Sequence, residues 1–128
     1  MVHERLLDTG QVKRNYLDYG TAAGDPLVRL HGGAWRWQEY LSLLPHVAHR
    51  WHVSAFDLGG NGRSGWVPDH YRLEDFTDDT LAFVRRLTAP AVLLGHSIGG
   101  VIALMVAGRC PEHGKGLLLE DAPLPLET

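Results

Sequence analysis

The stretch Ala91-Val92-Leu93-Leu94-Gly95-His96-Ser97-Ile98-Gly99-Gly100 joins an apolar strand to an apolar helix through a single serine. Ala91 to Leu94 is a short continuous apolar run, the mark of a buried strand. Ile98 to Arg109 stays apolar at helical length and predicts a buried helix. The residues between them must therefore make a sharp strand-to-helix turn. The whole apolar run, Ala91 to Ala107, is broken by His96, Ser97 and two glycines, and is too short and too polar to span a bilayer.

Upstream the same alternation repeats. Val12 to Tyr19 has a rough period of two and stops at Gly20, which reads as a strand entering a turn. Leu27-Val28-Arg29-Leu30 is a short strand ending in His31-Gly32-Gly33. Leu41, Leu44 and Ala48 recur at helical spacing, interrupted by Pro45. His52 to Leu58 reads as another strand, and Gly59 to Gly65 as a glycine-rich turn. Phe76, Phe83, Val84 and Leu87 mark one face of an amphipathic helix. Glu74 and Asp75 suit its first turn, where the helix dipole favours negative charge, and Pro90 follows its end. Gly116 to Glu120 supplies one more strand before the Pro-rich text from Asp121 onward.

Strands alternating with helices imply βαβ units, hence an α/β fold with a mostly parallel sheet flanked by helices. The 128 residues carry no repeat, linker or low-complexity tract, so residues 1–128 are expected to form one domain. A net charge of −3 gives no electrostatic reason for nucleic acid or an anionic membrane as partner. The single cysteine, Cys110, cannot close an internal disulfide and reads as a small core residue. With no apolar h-region behind Met1-Val2-His3-Glu4-Arg5, the sequence predicts a soluble, cytoplasmic protein.

The chemistry is expected at the serine. A hydroxyl becomes a nucleophile when a base takes its proton and its oxygen stands clear of its own helix. Gly95-x-Ser97-x-Gly99 offers that presentation, because glycines two residues either side leave room for a strained turn. The N–H of Ile98 would then face the substrate oxygen, aided by the positive end of the following helix. A second oxyanion donor belongs after an earlier strand, and the Gly33 N–H is the candidate; the alternative is that Gly32-Gly33 is only a turn.

Three ordered motifs carry a resemblance. His31-Gly32-Gly33, then Asp57-Leu58-Gly59-Gly60-Asn61-Gly62-Arg63-Ser64, then Gly95-His96-Ser97-Ile98-Gly99-Gly100 resemble the α/β-hydrolase superfamily, in its esterase-like and C–C-hydrolase-like forms. The tail Leu117-Leu118-Leu119-Glu120-Asp121-Ala122-Pro123 resembles the strand after the elbow helix. The resemblance implies a serine hydrolase acting through a Ser97 acyl-enzyme on an ester-like or activated carbonyl in a small molecule, with no cofactor. An aspartate or cysteine at 97 would have implied dehalogenase or dienelactone chemistry. The family commonly has arginine where Gly59 stands. It sets its acid on a later strand, or less often after the strand ending here, and its base histidine near the C-terminus. By that comparison the chain reads as the N-terminal portion of the fold, cut before the cap and the histidine.

Other residues admit simpler roles. His96 adjoins the serine, but a sharp turn should aim it elsewhere, and His31 resembles a structural residue of the family. Asp121 is a candidate acid against a reading in which it caps the strand end. His46, His49 and His52 recur every three residues, yet the third lies in the next strand, which breaks a metal-binding face. Gly60 to Gly65 matches a dinucleotide fingerprint, but Trp66-Val67-Pro68 follows where a helix must open. Asp57 reads as the brace of its turn. The rival function is a non-catalytic module, and the bare last strand predicts self-association or completion by a partner.

Overall fold

The computed structural model describes residues 3–8, 13–33, 36–58, 64–65 and 71–123. Its strands are β1 (His3–Asp8), β2 (Lys13–Gly20), β3 (Asp25–Leu30), β4 (Trp51–Phe56), β5 (Ala91–His96) and β6 (Gly114–Glu120). Its α-helices are α1 (Leu44–Val47), α2 (Leu73–Val84) and α3 (Ile98–Arg109), with 3-10 turns at Trp37–Tyr40 and Pro111–His113. The strands form one sheet in the order β1-β2-β4-β3-β5-β6. The β1/β2 and β2/β4 pairs are antiparallel; β4, β3, β5 and β6 run parallel.

Alternation along the strands divides the core between two faces. Val28, Leu30 and Leu93 point to one face, where Phe76, Leu81 and Val84 of α2 and Ile102, Ala103 and Val106 of α3 cover them. Leu27, Val53 and Ala55 point to the other, under Trp37 and Leu44. Each fully buried aliphatic side chain of this kind contributes about 1.5–3 kcal/mol relative to exposure. Cys110 is buried within the first face, as a core residue should be.

Three expectations change. The helix through Leu41, Leu44 and Ala48 is reduced to a 3-10 turn and the single turn α1, and Leu41 lies 52% exposed. Pro45 sits in the first turn of α1, where its missing N–H is harmless, and its ring bars helix upstream. Strand β1 has no counterpart in the sequence pattern, because Leu7 alone is buried and Leu6 faces outward, so no alternation marks it. Strand β6 begins at Gly114 rather than Gly116.

Among the described residues β6 pairs only with β5, and Leu118 and Leu119 on it are 54% and 37% exposed. No helix among the described residues is long and apolar enough to cross a membrane.

Candidate active site

Strand order reverses at β3: β4 lies on one side of it and β5 on the other. Crevices in open α/β sheets form at the carboxyl ends of strands flanking such a switch point. Two of the three sequence motifs leave the sheet there, His31-Gly32-Gly33 after β3 and Ser97 after β5.

Ser97 stands between β5 and α3 with φ 53° and ψ −119°, a conformation L-residues rarely hold. The flanking glycines explain how it is tolerated. A Cβ on Gly95 would lie 2.2 Å from the Gly99 carbonyl oxygen, and one on Gly99 would lie 2.3 Å from the Leu30 oxygen. The turn is thus pressed against both the start of α3 and the end of β3. The Ser97 N–H donates to the Glu120 carbonyl at 2.9 Å, and its own carbonyl accepts from the Gly100 N–H at 2.9 Å. Its hydroxyl makes no capping bond to the helix it precedes. Ile98 opens α3, where first-turn N–H groups have no acceptor within the helix.

Gly33 is exposed and lies beside Ile98: a methyl on Gly33 would sit 3.8 Å from the Ile98 Cγ2. The structure therefore brings together Ser97, Gly33 and Ile98. The loop between β3 and the 3-10 turn is pinned at its far end by Asp57. Its Oδ1 accepts from the Trp37 N–H at 2.8 Å and its Oδ2 from the Asn15 side-chain amide at 2.8 Å. Ser64 donates from its hydroxyl to the Asp57 carbonyl and accepts from the Asn15 N–H. Asp57 braces more than its own turn. Gly59–Arg63 and Ala34–Trp35 lie outside the described residues.

Both histidines near the elbow are engaged. His31 is fully buried; its Nε2 accepts from the Leu58 N–H at 2.8 Å and its Nδ1 meets the Gly32 carbonyl at 2.6 Å. That pair of contacts fixes the neutral tautomer with the proton on Nδ1. Burial lowers its pKa, opposed by the Gly32 carbonyl and the carboxylates of Asp57 and Glu39. His96 meets Glu39 Oε1 through Nδ1 at 2.5 Å. Asp121 also has a positive φ, 50°, and follows the Glu120 that holds the elbow; among the described residues no hydrogen bond joins it to a histidine. His52 meets Asp18 at 2.6 Å instead of joining His46 and His49. A cavity of about 330 Å³ lined by Tyr16, Asp18, His52, Ser54 and Arg86 opens near the amino-terminal end of β4, away from Ser97.

Sequence reasoning missed Glu39, Arg29 and Tyr40. Arg29 is 1% exposed and stacks its guanidinium 3.5 Å from the Tyr40 ring centre. Burial lowers the Arg29 pKa, opposed by Tyr40, Glu120 and Glu39, and raises that of Tyr40. The signal was present: a charged residue between Val28 and Leu30 in a buried strand needs partners.

A family model described as alpha/beta hydrolase fold matches residues 25–128. A protein of Mycobacterium phage D29 that carries the name non-heme haloperoxidase is 34% identical over 95% of this chain and 44% of its own length. The (E)-2-((N-methylformamido)methylene)succinate hydrolase of Acinetobacter baylyi is 27% identical over 90% of this chain and 43% of its own. Among solved structures, the thioesterase domain from the curacin biosynthetic pathway superposes with a TM-score of 0.90 at 26% identity, covering all of this chain and 49% of that one. The chain spans less than half the length of each of these proteins.

Proposed function

The chain belongs to the alpha/beta hydrolase fold family, and from that premise we propose that it is the nucleophile-bearing portion of a serine hydrolase acting on an ester-like or activated carbonyl. The observation that carries this reading is Ser97, held at φ 53° on the first turn of α3 with Gly33 beside Ile98. The Ser97 Oγ attacks the carbonyl carbon, and the electron pair of the C=O bond moves onto its oxygen. The N–H groups of Ile98 and Gly33 hold that oxyanion; one such donor is worth about 10²–10³ in rate. Collapse of the intermediate expels the protonated leaving group and forms a Ser97 acyl-enzyme, which water then hydrolyses.

The proton of Ser97 needs a base. His31 spends both ring nitrogens on backbone groups, and His96 faces Glu39. The reading therefore assigns the base histidine, and the acid that orients it, to sequence beyond these 128 residues, with Asp121 as the minor candidate for the acid. The greater length of the relatives supports this.

Two measurements test the reading. DNA sequencing past the codon for Thr128 should find further strand-like segments followed by an aspartate and a histidine. The protein expressed from its complete reading frame should react with a fluorophosphonate at Ser97. Labelling that persists in Ser97→Ala overturns the assignment.

A second reading rests on β6. With Leu118 and Leu119 exposed and the far edge unpaired by described residues, a partner strand can complete the sheet. Residues 1–128 would then act as a non-catalytic module. Concentration-dependent association of the 128-residue chain in size-exclusion chromatography, lost in Leu118→Lys, supports it; a monomer at all concentrations rejects it.

A further inference from the structure

We propose that Glu39 and His96 are positioning residues whose contact locks the oxyanion loop to the nucleophile elbow. The inference deepens the reading of Ser97 as nucleophile and rests on it.

One carboxylate reaches both walls of the crevice. Glu39 Oε1 meets His96 Nδ1 at 2.5 Å, and Glu39 Oε2 accepts from the Gly32 N–H at 3.3 Å. The two walls also touch directly: a Cβ on Gly32 would lie 2.9 Å from His96 Nδ1, so the imidazole rests against the glycine. His96 and Glu39 are separated by 57 residues, and their side chains are only 30% and 16% exposed. The pair is therefore better shielded from water than an ordinary surface contact.

The turn that carries Glu39 is itself fixed. Trp37 at its start donates to Asp57, and the Tyr40 hydroxyl at its end donates to the Leu30 carbonyl at 2.9 Å. The buried Arg29 guanidinium lies on the Tyr40 ring and attracts the Glu39 charge. A carboxylate on such a base is preorganised.

Its two partners are the immediate chain neighbours of the groups proposed to do chemistry. Gly32 precedes Gly33, and His96 precedes Ser97. Any slide of Gly32 past His96 changes the separation between the Gly33 N–H and Ser97. Oxyanion donors act only when aimed at the place where charge develops, so such a slide is felt in the covalent step.

The test uses the protein expressed from its complete reading frame and a fluorophosphonate, with the maximal labelling rate and the half-saturating concentration measured separately. Glu39→Ala and His96→Ala should slow the maximal rate about 10- to 100-fold with the half-saturating concentration unchanged. His96→Asn restores a donor at the position of Nδ1 and should recover most of the rate lost in His96→Ala. Glu39→Gln keeps the size but offers one acceptor for two donors, and should fall between wild type and Glu39→Ala. If the alanine variants do not fold, the contrast between His96→Asn and Glu39→Gln carries the same test. Ser97-dependent labelling at the wild-type rate in every variant overturns this inference alone. Labelling that is absent from wild type, or survives Ser97→Ala, overturns the nucleophile reading and this inference with it.

Discussion

The Ser97 N–H donates to the Glu120 carbonyl at 2.9 Å, so the elbow is tied to the edge strand β6 as well as to its own helix. That tie and the Gly100 and Val101 N–H groups on the Ser97 carbonyl hold the residue at φ 53°. Strain of this kind costs about 1–3 kcal/mol and persists because the surroundings over-determine it.

Glycine adopts this conformation without the steric cost. Ser97→Gly should therefore raise stability by about 1 kcal/mol, read as a higher urea midpoint at unchanged slope. Ser97→Ala keeps the Cβ and should show no such gain. An equal gain in both variants would place the effect in the hydroxyl instead.

Two glycines of α3 should respond in opposite directions to alanine. Gly99 packs on β3, where a Cβ would meet the Leu30 and His31 carbonyl oxygens at 2.3 and 2.6 Å. Gly99→Ala should cost about 3 kcal/mol through forced backbone movement. Gly108 is exposed with nothing within 4 Å of an added Cβ. Gly108→Ala should stabilise by about 0.5–1 kcal/mol through helix propensity. Thermal melts of the two variants check both signs.

Asp57 connects β2 to the turn after the Gly32-Gly33 loop. Asp57→Ala leaves the buried Trp37 N–H without its acceptor and the Asn15 amide with Glu4 alone, at a cost of about 3 kcal/mol. Asp57→Asn retains one carbonyl oxygen and should cost roughly half as much. Both should slow Ser97 labelling, since the loop bearing Gly33 loses its far anchor. Denaturation curves and labelling rates measured on the same samples test the pair.

Acidification should weaken the fold in two separable steps. Burial lowers the His31 pKa from its ordinary 6.5. Its stabilising contribution is full above that value, where both states are neutral. As pH falls below 6.5 the unfolded chain takes a proton that the folded chain refuses, and stability declines until the depressed folded pKa is reached. Burial also pushes Asp18 up, but hydrogen bonds from His52 and Arg5 outweigh it and hold the carboxyl below 3.8. Its contribution is therefore present above 3.8 and is lost only as pH falls from there. Urea titrations from pH 8 to 3 should show both windows. His31→Gln should flatten the upper one and leave the lower.

Much of this was legible in the residues. Ala91 to Leu94 announced the start of β5, which runs two residues further to His96, and Ile98 to Arg109 announced α3 to the residue. The first is a short apolar run and the second an apolar stretch of helical length with a charged end. Pro45 shortened α1 in the way its ring requires, though the apolar spacing of Leu41, Leu44 and Ala48 argued for a longer helix. β1 left no pattern, since an edge strand burying one leucine has none to leave.

By itself the sequence determined the parts that depend on near neighbours: strand, turn and helix around Ser97, the glycines beside it, and the order of three motifs. Conformation there is fixed by residues a few positions apart, so a linear reading captures it. The tertiary structure alone decided that β5 pairs with β3 and not β4, that Arg14 of β2 meets Asp79 of α2, and that Glu39 clasps His96. Those partners lie 57 to 65 residues apart. Their meeting depends on which strands become neighbours as the two faces bury their apolar side chains, and no local pattern encodes that choice.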